Sequence, residues 1–216
     1  MPDLPKPDYF ALFGEPRRPW LDPEALKERL RQLSTEAHAD RMHDAPAAEK
    51  EAANRRHTEI NAAHRCLSET KQRLAHLIEL ETGQPPRRVE AIPTDIADRF
   101  IATSELCGES DRLLAREAGA RSPILKVELV AATLELGDRL AALANELDGL
   151  MKKVEAELRA MNEVWQSTLL FEGAERHQRL PLERLEECYR RVAYLDKCSR
   201  QIRERATKLA ILGASI

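Results

Sequence analysis

Leu136-Gly137-Asp138-Arg139-Leu140-Ala141-Ala142-Leu143-Ala144-Asn145-Glu146-Leu147-Asp148-Gly149-Leu150-Met151-Lys152-Lys153-Val154 sets aliphatic residues at alternating steps of four and three, and Leu158, Met161 and Trp165 continue the row. Such steps stay on one face of a 3.6-residue helix, so the segment reads as a long helix with a coiled-coil-like seam. Gly137 and Gly149 each weaken it by about 1 kcal/mol relative to alanine without moving its period. Ser122-Pro123 supplies a start, because a proline in the first turn loses no hydrogen bond, and the helix is expected over 123–170. Downstream, Pro181 opens a last helix in which Leu182, Leu185, Tyr189, Val192, Leu195, Ile202 and Leu209 form a complementary stripe. Two apolar faces in one chain bury each other. They are expected to pack antiparallel through a turn near Gly173, with residues 95–119 as a third helix.

Composition agrees with an all-α chain. Of the 216 residues, 33% are charged, 4% are aromatic and only 8 are glycine, which suits long helices built on Leu and Ala and not a sheet with many turns. A net charge of −3 offers no general attraction to nucleic acid. No basic leader followed by an apolar run opens the sequence and no segment is apolar for long enough to span a bilayer, so a cytoplasmic protein without a membrane partner is expected. The cysteines Cys66, Cys107, Cys188 and Cys198 form no C-x-x-C pair, and reduced thiols packed on helices are expected, not a metal site.

Gly83-Gln84-Pro85-Pro86 and Pro93 interrupt the helical pattern and divide the chain into residues 1–83, a linker 84–94 and a C-terminal bundle 95–216. In the first part, Asp22-Pro23-Glu24 is a helix start, and Leu26, Leu30, Leu33 and Ala37 share one face. A second helix from Ala47 is expected to turn Ala52, Ala53, Ile60, Ala63 and Leu67 inward, and a third over 71–81 to stop at Gly83 as a left-handed cap.

The order of these features carries a resemblance. Asp8-Tyr9-Phe10-Ala11-Leu12-Phe13-Gly14, then an amphipathic helix, His38-Ala39-Asp40-Arg41 in a loop, and a helix bearing Ile60-Asn61-Ala62-Ala63 together resemble a J domain. The compact form, with Arg73-Leu74-Ala75-His76-Leu77-Ile78-Glu79-Leu80 after it, is similar to HscB, the co-chaperone type linked to iron–sulfur cluster assembly. Phe100-Ile101 with Ser104-Glu105-Leu106, and Arg191 to Lys197, extend the resemblance into the second part, apart from an enlarged middle at 116–178.

What the resemblance implies is an adaptor. His38, Asp40, Lys27, Arg29, Arg31 and Arg41 would contact a DnaK-type (HscA-like) ATPase chaperone, while Phe100, Ile101, Ser104 and Glu105 would hold a client, an iron–sulfur scaffold protein. The sequence departs from the family at Ala39, where His-Pro-Asp is expected. Alanine leaves the loop freer by about 0.5–1 kcal/mol of pre-organisation. The basic helix is also diluted by Glu24, Glu28 and Glu36, which weakens electrostatic steering. The competing expectation is a degenerate J-like structural or oligomerising protein that stimulates no chaperone and uses its long hairpin to bind a partner or to form a homodimer.

Plainer readings stand beside these. The leucine stripe is core before it is a recognition surface, as are Phe100, Ile101 and Leu106. His57 and His64 lie two turns apart but have no third ligand at suitable spacing, so no metal or cofactor is expected. Arg87-Arg88 and Arg190-Arg191 are expected on solvated faces. With no phosphate-binding glycine loop, no G-x-S-x-G turn and no paired nucleophile and histidine, the sequence offers no catalytic residues, and an enzyme is not expected.

Overall fold

The computed structural model of the chain describes residues 7–36, 46–87, 91–119, 123–171 and 173–214, the side chains of 123–127 and 213–214 excepted. The fold is all-α. Among the described residues there are eight helices and no strand: α1 (Tyr9–Phe13), α2 (Pro23–Glu36), α3 (Ala47–Ser68), α4 (Thr70–Thr82), α5 (Ala97–Ala118), α6 (Pro123–Ser167), α7 (Gly173–Arg179) and α8 (Leu182–Ala214).

The helix ends have local causes. Asp22 Oδ1 accepts from the amides of Glu24 and Ala25 at 2.8 and 3.3 Å, capping α2 as its sequence implies. Gly83 ends α4 with φ 71°, and its amide donates to the Glu79 carbonyl. Leu26 and Leu33 are buried on α2, Leu30 is half-buried, and Ile60, Ala63 and Leu67 are buried on α3. Ala52 is exposed, contrary to expectation, and Ala53 is half-buried. A methyl group gains little from burial, so alanines define a face less firmly than the Ile and Leu farther along. Ala37 lies outside the described residues.

Proximity groups the chain into two units: residues 1–87 with 157–189, and residues 88–156 with 190–216. This cuts across a division at the prolines, because the chain returns to the first unit after the end of α5 and most of α6. Within that unit Asn162 bonds both backbone groups of Trp20, accepting at 3.0 Å and donating at 2.9 Å. Arg176 grips Glu81 with two donors, at 3.0 and 2.9 Å, and the Glu81 side chain is only 4% exposed. Phe10, Phe13, Leu21, Leu67, Leu74, Leu77 and Ile78 fill its interior.

In the second unit, ion pairs and ring contacts give the helix directions. Arg99 meets Glu146 and Glu109 meets Arg139, so α5 and α6 run oppositely. Asp95 meets Arg191, Phe100 meets Tyr194 and Asp111 meets Arg205, so α5 and α8 run together. It follows that α6 and α8 are antiparallel, as the paired stripes require.

The α6 stripe is buried at Leu136, Leu140, Leu143, Leu147, Val154, Leu158, Met161 and Trp165, with Leu150 half-buried. On α8 the buried row is Leu185, Cys188, Val192, Leu195, Cys198, Ile202 and Leu209. Tyr189 and Leu182 are half-buried instead, and Cys188 takes the inner position. The small polarizable Cys188 thiol packs there and donates to Glu157 Oε2 at 3.5 Å. The link at Gly173 is more than a turn: Gly173, at φ 55°, opens the seven-residue α7. Among the described residues no helix is long and apolar enough to cross a membrane.

Candidate functional site

The first candidate surface is built on α1 to α4. Asp8 caps α1 by accepting from Ala11 at 3.1 Å, and Gly14, at φ 68°, returns its amide to Ala11 and Phe10. The aromatic opening thus becomes a single tight turn whose Phe10 and Phe13 are buried against the rest of the unit. His76 from α4 completes the corner. Its Nε2 accepts the Tyr9 amide at 3.2 Å, and its ring lies parallel to Phe10 with centroids 5.9 Å apart.

The three cations expected on the contact helix are all engaged. Lys27 pairs with Glu24 at 2.7 Å and Arg31 with Glu28 at 3.1 Å, both exposed i,i+3 pairs. Arg29 instead donates from Nε to the Phe13 carbonyl at 3.0 Å, closing the C-terminus of α1. It therefore positions the corner as well as carrying charge. His38, Asp40 and Arg41, with Ala39, lie outside the described residues; Glu36 of α2 and Ala47 of α3 are the helix ends on either side of them. His64 on α3 faces Phe13 at 6.3 Å, and burial, then Lys27, hold its imidazole below the ordinary value.

Sequence reasoning missed Arg73. It is 4% exposed and donates to Pro19 O at 2.9 Å, Leu67 O at 2.6 Å and Thr70 Oγ1 at 3.3 Å, locking the α3–α4 corner to the loop before α2. In the sequence Arg73 stands beside Leu74, whose face turns inward, and opens the run that resembles HscB, but neither feature gives its backbone partners. Arg191, expected to be solvated, is likewise drawn in, with a side chain 15% exposed and 2.9 Å from Asp95.

The second candidate surface is α5. Thr103, Leu106, Cys107, Ser110 and Leu113 point inward, whereas Ile101 is 55% exposed and Ser104 and Glu105 are exposed beside it. Spacings of three and four put those last three on one outward face. Phe100 is half-buried; its ring meets Tyr194 edge-on at 5.6 Å, and Lys197 Nζ lies 5.4 Å from its centroid. Leu106 belongs to the core, so the apolar part of this face is Ile101 with the rim of Phe100.

Neither surface carries reactive thiols. Burial pushes the Cys107 and Cys198 thiols up, and the Cys66 thiol up to about 11, which keeps them protonated near neutral pH. Among the described residues no three His, Cys, Asp or Glu side chains gather as a metal site.

No family model matches the chain. It is 38% identical over 73 residues to the co-chaperone protein HscB homolog of Azoarcus sp. (strain BH72), covering 34% of this chain and 41% of that protein. The corresponding protein of Bordetella avium is 38% identical over 72 residues, covering 33% and 43%. Solved structures match over much more of the chain. Chaperone HscB from Vibrio cholerae superposes with a TM-score of 0.61 at 18% identity, covering 94% of this chain and 99% of that one. Over those 72–73 residues in sequence, and over 94% of its length in fold, the chain is similar to proteins named HscB. Human co-chaperone HscB has the same fold, with a TM-score of 0.54 at 18% identity over 93% of this chain and 82% of that one. The sequence match to the curated HscB homologs spans about two fifths of their length, 41–43%. The HscB-like fold accounts for both halves: the α1 to α4 corner and the helices that follow.

Proposed function

We propose that the chain is a J-domain-like co-chaperone that engages a DnaK-type ATPase chaperone and delivers to it a client, an iron–sulfur cluster scaffold protein. The observation that carries this reading is the α1–α4 corner. Its capped aromatic turn, the contacting α2 and α3, and the Arg73 and Arg29 locks build a helical corner, and His38 and Asp40 occur in sequence between its α2 and α3. Similarity to proteins named as HscB co-chaperones supports the assignment. On this reading His38, Asp40, Lys27, Arg29, Arg31 and Arg41 contact the chaperone. The outward face of α5, Ile101, Ser104 and Glu105 with Phe100, holds the client.

Stimulated ATP hydrolysis by the host's DnaK-type chaperone tests the first half. The expected result is a saturable rise in turnover that is lost in His38→Gln and enhanced in Ala39→Pro. If neither the natural chain nor Ala39→Pro stimulates it, the reading has no mechanism.

One observation favours a second reading, a J-like structural protein with no effect on a chaperone. Lys27 and Arg31 are paired with acids of their own helix, which leaves α2 with little net positive field.

A further inference from the structure

We propose that a groove on the second unit, between the C-terminal half of α5 and the N-terminal half of α6, docks an acidic amphipathic helix of a partner protein. The groove measures about 340 Å³, and Leu113, Ala132 and Leu136 form its floor. Leu113 and Leu136 are 6% and 5% exposed and Ala132 is half-buried, so the floor is apolar and already joined to the core. The rim is charged and open to solvent: Arg112 and Arg116 stand on the α5 side, Glu135 and Arg139 on the α6 side, all exposed. Exposed helix flanks on both sides suit a segment laid along the groove and not an enclosed small molecule.

The charges on the rim select the occupant. Arg139 and Glu109 satisfy each other across the groove through two bonds, at 2.6 and 3.1 Å. Arg112 donates from Nε to the Gly108 carbonyl of its own helix at 3.1 Å, and neither Arg112 nor Arg116 pairs with a carboxylate among the described residues. Both guanidinium groups are therefore accessible and without an acidic partner there, and a carboxylate is the acceptor that matches their fork.

Spacing narrows the choice further. Arg112 and Arg116 stand one turn apart, about 6 Å along α5 at 1.5 Å per residue. Acids four positions apart on a second helix repeat at the same rise, so a helix lying along the groove meets both arginines at once. An aliphatic residue on the same face then lies over Leu113 and Leu136. A polyphosphate strand fits poorly, because Glu109 and Glu135 stand on the same walls and repel a continuous anion. A purely apolar helix leaves both arginines without a counter-charge. None of these residues lies on α2, in the His38–Asp40 segment or among Ile101, Ser104 and Glu105, so this docking and the co-chaperone reading fail or stand separately.

The test is fluorescence anisotropy of a labelled alanine-rich peptide of about 15 residues, long enough to populate a helix, titrated with the full chain at low ionic strength. The peptide carries two glutamates four positions apart and a leucine on the same face. Saturable binding is expected at sub-millimolar chain concentration. It should weaken about tenfold or more when both glutamates become glutamine, and in the Arg112→Gln, Arg116→Gln variant. The Arg112→Glu, Arg116→Glu variant should lose the glutamate peptide and bind a lysine version of it instead. Both positions are exposed, and far-UV circular dichroism checks that the variants keep their helix content. Absence of saturable binding, equal binding of the glutamate and glutamine peptides, or a folded reversal variant that does not bind the lysine peptide would each overturn the proposal. So would inorganic tripolyphosphate binding as tightly as the peptide, or a light-scattering dimer of the chain that the reversal abolishes, since the groove would then hold a simple anion or a second copy.

Discussion

Arg73 directs its guanidinium at the backbone of two other segments, bonding Pro19 O and Leu67 O from a side chain almost closed to water. Removing it strands two carbonyls where solvent reaches them poorly. Arg73→Met is therefore expected to lower stability by about 2–4 kcal/mol, read as a shifted urea midpoint at unchanged slope. Trp165 poses the opposite case. It is fully buried, yet its indole N–H has no acceptor among the described residues. Trp165→Phe removes the orphan donor while keeping most of the ring, and is expected to change stability by less than about 1.5 kcal/mol. Trp165→Ala should cost about 3–5 kcal/mol by the same denaturation measurement. His64 adds a pH dependence. Burial and Lys27 depress its folded-state pKa, so the unfolded chain binds the proton more readily. Its contribution is fully present above about pH 6.5 and is lost as pH falls through the lower, folded-state value. Melting temperature should fall between about pH 7 and pH 5, and His64→Gln should make that fall shallower. The burial of Trp165 is legible in its place on the α6 row, but the roles of Arg73 and His64 are not, because arginine and histidine default to solvent and only the folded chain brings carbonyls and rings to them.

Helices α6 and α8 show the opposite balance. The row from Leu136 to Val154 is legible because steps of three and four are a property of sequence alone, and the folded helix buries that row as the period requires. What periodicity leaves open is which of two adjacent residues turns inward, and Cys188 in place of Tyr189 was settled by packing. The burial of Leu143 and Leu147 within the single chain also bears on self-association, since it leaves that row no face for a second copy. Leu147→Ala should cost about 2–5 kcal/mol, and the light-scattering mass should not depend on that row. On the proposed function, the paired Lys27 and Arg31 of α2 and the alanine at position 39 point the same way, to weakened chaperone contact. Ala39→Pro is expected to raise half-saturating chaperone affinity about two- to fivefold, the equivalent of about 0.4–1 kcal/mol of pre-organisation.

At the scale of the whole molecule, the all-α class and the order of the helices follow from the sequence. The grouping of residues 157–189 with the N-terminal unit does not. It depends on single contacts between distant positions, Asn162 with Trp20 and Arg176 with Glu81, that no local pattern announces. The candidate surfaces divide in the same manner. Ile101, Ser104 and Glu105 share an outward face as their spacing implies, whereas Leu106 is core and Arg29 closes α1. An adaptor must act on chaperone and client together, and that is the claim most open to a direct check. Single-turnover ATP hydrolysis by the host's DnaK-type chaperone is measured with the iron–sulfur scaffold protein, with this chain, and with both. The prediction is a rate with both that exceeds the sum of the separate stimulations, and that returns to the scaffold-only rate in His38→Gln. Additive rates, or an equal rate with His38→Gln, would contradict it.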